Sequence, residues 1–168
     1  TYPEAEGQTV PMPTVEALCD GGVRFSQAWA TPSCAPTRAS MITGQFPFRL
    51  AEGDPEAPLA ADAVTMPQRL KAHDPDLALA HIGKWHLGRA EETGGDATPN
   101  TFGWTHFAGG LDATLPDYFA WERTEDGVTA EVNTYASTQN VDDSIAWLEG
   151  LDEDAPWVMW LAFNAPHA

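Results

Sequence analysis

Basic residues are scarce in this 168-residue chain: eight Lys and Arg stand against 25 Asp and Glu, a formal net charge of −17. That balance argues against nucleic acid or an anionic membrane as the main partner, because both are held by a cationic face. Cysteines number two, Cys19 and Cys34, too few for a scaffold built on disulfides. Apolar runs are short, reaching seven residues at 157–163, far below the roughly 18 of a membrane-spanning helix. Aromatics are not lacking. Seven tryptophans and a hydrophobic fraction of 43% argue against disorder and supply the core of one ordinary domain. The chain starts at Thr1 and stops at Ala168, just after a strand-like run. We therefore expect a piece truncated at both ends, whose missing leader says nothing about compartment.

What is present alternates between helical and strand-like patterns. Residues 13–20 predict a helix, with Pro13 at its first position, Val15, Leu18 and Cys19 on one face, and Gly21-Gly22 ending it. Partial alternation predicts a strand over 23–30, then a turn through Pro32 and a helix over 36–43 closed by Gly44. Residues 50–63, rich in Pro, Ala and acid, predict a surface loop; 65–73 predict a short helix with Met66 and Leu70 four apart. The apolar run at 77–83 fits a strand buried on both faces. Residues 89–134 are the least regular stretch. An amphipathic helix is predicted over 137–151, with Val141, Ile145 and Leu148 on one side, and a strand over 157–163. Strands alternating with helices predict an α/β fold with a mainly parallel central sheet flanked by helices.

In open parallel sheets, ligands bind beyond the carboxyl ends of the strands. Three such ends are predicted, followed by Cys34-Ala35-Pro36-Thr37-Arg38, by Lys84-Trp85-His86 and by Asn164-Ala165-Pro166-His167. One cysteine, one arginine, one lysine and two histidines then converge on one edge. That edge is cationic in an anionic chain, which points to a small anion as ligand. Cys34 precedes a helix predicted to start at Pro36, so free N–H groups and the positive dipole end face the anion. Arg38 beside it stabilises an oxyanion. Lys84 and His86 are two apart, and an extended backbone points both to one side.

Cys34-Ala35-Pro36-Thr37-Arg38 resembles the C-x-P-[ST]-R signature of the type I (formylglycine-dependent) sulfatases, and Ala39-Ser40-Met41-Ile42-Thr43-Gly44 resembles its continuation. Gly83-Lys84-Trp85-His86-Leu87-Gly88 is similar to that family's second signature. Asn164-Ala165-Pro166-His167-Ala168 is similar to the strand end that carries its substrate-binding histidine. Cys, Pro and Arg at fixed offsets arise by chance in about one chain in a hundred; all three segments in the expected order are far more specific.

The resemblance implies an alkaline-phosphatase-like sandwich, residues 1–168 being a partial N-terminal catalytic domain. It implies an arylsulfatase-like enzyme that cleaves a small sulfate ester to alcohol and sulfate. Cys34 would be oxidised to formylglycine by a formylglycine-generating enzyme. A gem-diol oxygen of its hydrate would attack sulfur as the alcohol leaves, and the aldehyde would re-form as sulfate departs. Residue by residue, position 34 would be nucleophile and one ligand of Ca2+ (or Mg2+), and Arg38 would hold the hydrate and its charge. Lys84 would bridge hydrate and sulfate, His86 would take the hydroxyl proton during release, and His167 would bind the sulfate. The family's aspartate pair and Asp-Asn pair have no counterpart here. A hard divalent cation needs about six oxygen ligands, so these residues alone are expected to bind metal weakly and to turn over little or nothing. A periplasmic or secreted location is implied as well.

Two rivals share the signatures: a phosphonate monoester hydrolase or phosphodiesterase of the same superfamily, and a degenerate sulfatase-like protein that binds without turnover. A third is a thiol enzyme using unmodified Cys34. Elsewhere the expectations are plain. Cys19 reads as a buried thiol on its helix, His81 as a core histidine, and His73 and His106 as structural or exposed. The aromatic residues between Phe102 and Trp121 read as packing, with the lining of a substrate cleft as the alternative.

Overall fold

The computed structural model describes residues 11–50 and 58–167. Two compact units divide the chain, Thr1–Ala30 and Thr31–Ala168. In the first unit, helix α1 (Pro13–Gly21) starts with proline at its first position, where the absent N–H has no intrahelical partner to lose. The strand predicted over 23–30 is not formed: among the described residues this segment joins no ladder. Its Val and Phe fit a pleated surface, but strand preference is realised only against a neighbouring strand.

The second unit is built on five strands: β1 (Ala78–Gly83), β2 (His106–Gly109), β3 (Trp121–Glu125), β4 (Val128–Val132) and β5 (Trp157–Ala162). Their order is β4-β3-β2-β1-β5. β1 lies parallel to both neighbours, with Ala80 opposite His106 on one side and Ala78 to Gly83 opposite Trp157 to Ala162 on the other. β1 has a strand on each side and is buried on both faces, which is why its sequence is a nearly continuous apolar run; Leu79, Ala80, His81 and Ile82 are fully buried.

The antiparallel β3–β4 hairpin lies inside the stretch that looked irregular. Asp126-Gly127, with φ of 45° and 87°, makes the two-residue turn, and Asp-Gly between alternating residues is a hairpin signal. The Asp126 carboxylate accepts from the Phe107 N–H at 2.7 Å and from Asn100 Nδ2 at 2.8 Å, and meets His106 Nδ1 at 3.0 Å. These contacts fasten the turn to β2.

Among the described residues of this unit, four α-helices accompany the sheet: α2 (Cys34–Thr43), α3 (Met66–His73), α4 (Thr98–Thr101) and α5 (Ala136–Glu149). A reciprocal cap starts α3: Thr65 Oγ1 accepts from the Gln68 N–H, and Gln68 Oε1 accepts from the Thr65 N–H. Ile42, Leu59, Leu79, Trp85, Leu87, Phe102, Trp104 and Phe107 form the core. Most of the aromatic stretch is thus packing, as expected, although Phe119 is exposed. The surface loop predicted over 50–63 needs correction. Residues 51–57 lie outside the described residues, but Leu59 is buried, its N–H bonded to the Leu87 carbonyl at 3.1 Å.

α5 also departs from expectation. Val141, Ile145 and Leu148 are 41%, 49% and 37% exposed, and the buried side is Ala136, Asn140 and Ser144. Small residues at these four-residue intervals let the helix approach the glycine at the end of β1. A Cβ added at Gly83 would stand 3.2 Å from Asn140 Nδ2, so this approach leaves little room for a side chain at position 83.

Candidate active site

The site begins with the start of α2. Ser33, in an extended conformation, precedes the helix, and Cys34 is its first residue, two positions earlier than the sequence pattern predicts. Pro36 does not mark the start because a proline in the first turn sacrifices no intrahelical bond. Thr31 and Thr37 fix the approach: Thr31 Oγ1 donates to the Ser33 carbonyl at 2.9 Å and Thr37 Oγ1 to the same oxygen at 3.0 Å. Gly44 ends the helix in the left-handed conformation at φ 69°, its N–H donating to the Ser40 carbonyl at 2.8 Å.

Cys34 is a free thiol at the positive end of this helix. Its Sγ lies 3.2 Å from His86 Nδ1 and 3.5 Å from Lys84 Nζ. Both partners come from the segment that follows β1, but not by strand alternation. β1 stops at Gly83, and His86 adopts the left-handed conformation with φ 50°. An extended backbone is therefore the wrong reason for the right convergence. Backbone bonds hold the turn from both sides. The Lys84 N–H donates to the Ala162 carbonyl at 2.7 Å, the Trp85 N–H to Gly110 at 2.9 Å and the His86 N–H to Leu111 at 3.0 Å.

The carbonyls of the same turn are gathered by Arg38. Its Nε donates to the Trp85 carbonyl at 2.7 Å and its Nη2 to the Lys84 carbonyl. Its guanidinium carbon sits 4.6 Å above the Trp160 ring. Burial lowers its pKa to about 10, against a smaller opposing pull from Cys34, so it remains a cation at neutral pH. Lys84 is also buried. His81, fully buried on β1, places Nε2 2.8 Å from the Lys84 carbonyl and 3.2 Å from Arg38 Nη2. Burial, and secondarily the Arg38 charge, lowers its pKa to about 3, which makes it a neutral imidazole. The expectation of a core histidine holds, but its bonds to this turn carried no sequence signal.

Beyond the thiol lies an open cleft of about 590 Å³, lined among others by Cys34, Arg38, Lys84, Trp160, Asn164 and His167. The parallel pairing of β1 and β5 brings Lys84 and His167 to one edge. The strand expected over 23–30, ahead of Cys34, is not formed; the start of α2 supplies Cys34 and Arg38 instead. The backbone carbonyl of His167 accepts from the Tyr118 hydroxyl at 2.5 Å. Tyr118 lies in the aromatic stretch that the sequence marks as packing or cleft lining, whereas nothing in the sequence singles out the cleft residue Trp160, which only proximity in the fold reveals. His106 pairs with Asp126, and His73 ends α3; neither belongs to the cleft.

Among the described residues, the lining contains no carboxylate. Among the described residues, no group of three or more His, Cys, Asp or Glu is placed to hold a metal ion. A hard divalent cation requires several oxygen ligands, and the neighbours of Cys34 are cationic or imidazole donors. The residues present do not by themselves fit Ca2+ or Mg2+; they fit an anion. Nor is any described helix long and apolar enough to cross a membrane.

Comparison with known proteins gives the family. The sulfatase family model matches residues 2–168. An arylsulfatase of Klebsiella aerogenes is 28% identical over 96% of this chain and 39% of its own length. An N-acetylglucosamine-6-O-sulfatase of Bacteroides thetaiotaomicron is 28% identical over 96% of this chain and 27% of its own. A solved structure in complex with its substrate, D-glucosamine-2-N,6-O-disulfate, superposes with a TM-score of 0.73 at 26% identity, covering 92% of this chain and 29% of that one. The chain thus spans about a quarter to two fifths of the length of these proteins. Its α/β sheet corresponds to part of their alkaline-phosphatase-like fold. Matched by the family model along its length, the chain belongs to the sulfatase family.

Proposed function

We propose that residues 1–168 are the N-terminal part of the catalytic domain of an arylsulfatase-like sulfuric ester hydrolase, and that residue 34 acts as a formylglycine nucleophile. The observation that carries this reading is the meeting of Lys84 Nζ and His86 Nδ1 at Cys34 Sγ, on a helix N-terminus and beside a cationic cleft. In this reading Lys84 and His167 bind the sulfate, and its negative charge is matched by Lys84 and by the helix end. His86 lies within proton-transfer reach of the oxygens at position 34. Arg38, saturated on two nitrogens by the Lys84 and Trp85 carbonyls, contributes a fixed positive charge beneath the nucleophile and holds the turn. A Ca2+ or Mg2+ ion would need oxygen ligands beyond those around Cys34, and no step is routed through it here.

The substrate in this reading is a small sulfate ester. An acidic surface disfavours long sulfated polymers, and the proteins it resembles include an arylsulfatase and a hexosamine sulfatase. Maturation by a formylglycine-generating enzyme and a periplasmic or secreted location belong to the same proposal. The test is the mass of the Cys34 peptide from full-length protein made in its own host, with parallel assays on aryl sulfate and aryl phosphonate esters. Loss of sulfur with gain of an aldehyde oxygen, and faster sulfate release, are expected. An unmodified thiol from a host that carries the oxidising system would refute the mechanism, and faster phosphonate cleavage would reassign the substrate.

A further inference from the structure

His81 stands where no chemistry requires a histidine, inside the buried strand β1. Its ring is boxed by Trp85, Trp104, Phe107 and Trp160, with centroids 5.4, 5.4, 5.6 and 4.8 Å away. A phenylalanine or leucine would fill such a place at no desolvation cost. A buried imidazole there is retained against that cost, and its one set of polar contacts is at Nε2: the Lys84 carbonyl and Arg38 Nη2.

The Lys84 contact selects the tautomer, and Arg38 Nη2 at 3.2 Å is then a neighbouring donor to the same carbonyl, not a hydrogen-bond partner of the ring. Nδ1 is buried without a hydrogen-bond partner. A proton there would be an orphaned donor, and a bare Nε2 would face the Lys84 oxygen lone pair to lone pair at 2.8 Å. With the proton on Nε2, the imidazole donates to the Lys84 carbonyl, and Nδ1 leaves only an unused lone pair among aromatic rings. Arg38 Nη2 donates to the same oxygen, so both of its lone pairs are engaged. Arg38 Nε takes the next carbonyl, that of Trp85. Two consecutive carbonyls are thereby turned toward one side, which an extended strand cannot do. The chain leaves β1 at Gly83, with φ 98°, and reaches His86 in the left-handed region.

We propose that His81 is a positioning residue of this site: its Nε2–H, given to the Lys84 carbonyl beside Arg38, holds the 84–86 turn that aims Lys84 Nζ and His86 Nδ1 at residue 34. This rests on the reading of residue 34 as the nucleophile only for its effect on turnover; the effect on the thiol stands apart from it. Its neutrality follows from burial, in keeping with a pKa lowered to about 3.

Three measurements test it on the full-length protein. Nitrogen-15 spectra of the histidine side chains should show His81 protonated at Nε2 and bare at Nδ1; a proton on Nδ1 overturns the proposal, whatever any variant does. In unconverted protein carrying Cys19→Ser, His81→Phe should slow iodoacetamide alkylation of Cys34 several-fold, and His81→Gln, whose amide N–H reaches the Nε2 position, should restore most of it. In converted protein, His81→Phe should lower kcat for an aryl sulfate on the order of 10²-fold, the cost of a misplacement near 1 Å, with His81→Gln recovering most of the rate. A folded His81→Phe protein matching wild type in alkylation and kcat refutes the positioning role. If the wild-type enzyme cleaves no sulfate ester, the proposed function fails, while tautomer and alkylation still decide the role of His81.

Discussion

Acid should destabilise this protein through His81 before its carboxylates are protonated. The imidazole titrates near its ordinary 6.5 in the unfolded chain and near 3 in the folded one. The sign follows directly. Below pH 6.5 the unfolded state takes up a proton that the folded state refuses, so stability falls as pH falls, and continues to fall until about pH 3. At pH 5 the penalty is about 2 kcal/mol, from 1.4 kcal/mol for each unit between 6.5 and 5. The physical cause is the aromatic box and the fixed Arg38 charge. The second proton would have to go to Nδ1, which has no acceptor. The assay is urea unfolding of wild type and His81→Gln at pH 7.5 and pH 5. The other four histidines are common to both proteins and cancel in the difference. The wild type should lose about 2 kcal/mol more than the variant over this interval. Equal losses, or a His81 resonance that titrates near 6.5, would refute the reasoning.

Further outcomes follow from the same contacts. Gly83→Ala would drive Cβ into the Ala162 carbonyl oxygen at a positive φ; we expect a loss of about 3 kcal/mol or more, seen as a lower melting temperature, and an unchanged Tm would contradict the β1–β5 contact. Arg38→Met leaves the Lys84 and Trp85 carbonyls short of donors in the interior, and urea titration should show a loss of about 2–4 kcal/mol. Asp126→Ala removes the acceptor of the Phe107 N–H and Asn100 amide, at a cost of about 1 kcal/mol for so exposed a turn. These hydrogen bonds, with His106, hold the Asp126 carboxyl below its ordinary value although burial opposes them. Its contribution is thus complete above pH 4 and lost as pH falls through the folded pKa; a wild-type-minus-variant difference that grows on acidification below pH 4 would refute this.

Much of the site was legible because spacing along one chain is a local property. The Cys-x-Pro-Thr-Arg run sits at a helix start, and the Lys-Trp-His run follows an apolar strand; both patterns survive whatever the rest of the chain does. The β1 and β5 strands were readable for the same reason, since burial on both faces demands apolar residues without interruption. The strand expected over 23–30 failed because a strand is completed by a neighbour, which periodicity does not report. α5 failed differently: its apolar stripe suggested the buried side, yet the close approach to Gly83 selected Ala136, Asn140 and Ser144.

What the sequence by itself determined is the inventory and its order: a thiol ahead of an arginine on one helix, a lysine and histidine after one strand, a histidine after another. Only the tertiary structure decided how they meet. Parallel pairing of β1 with β5 brings Lys84 and His167 to one edge. The turn at Gly83, held by Arg38 and His81 through the Lys84 and Trp85 carbonyls, carries Lys84 Nζ and His86 Nδ1 to Cys34 Sγ across about fifty residues of sequence. Such contacts join backbone oxygens to side chains far apart in the chain. A carbonyl is the same in every residue, so no residue type announces which one a buried guanidinium or imidazole will hold.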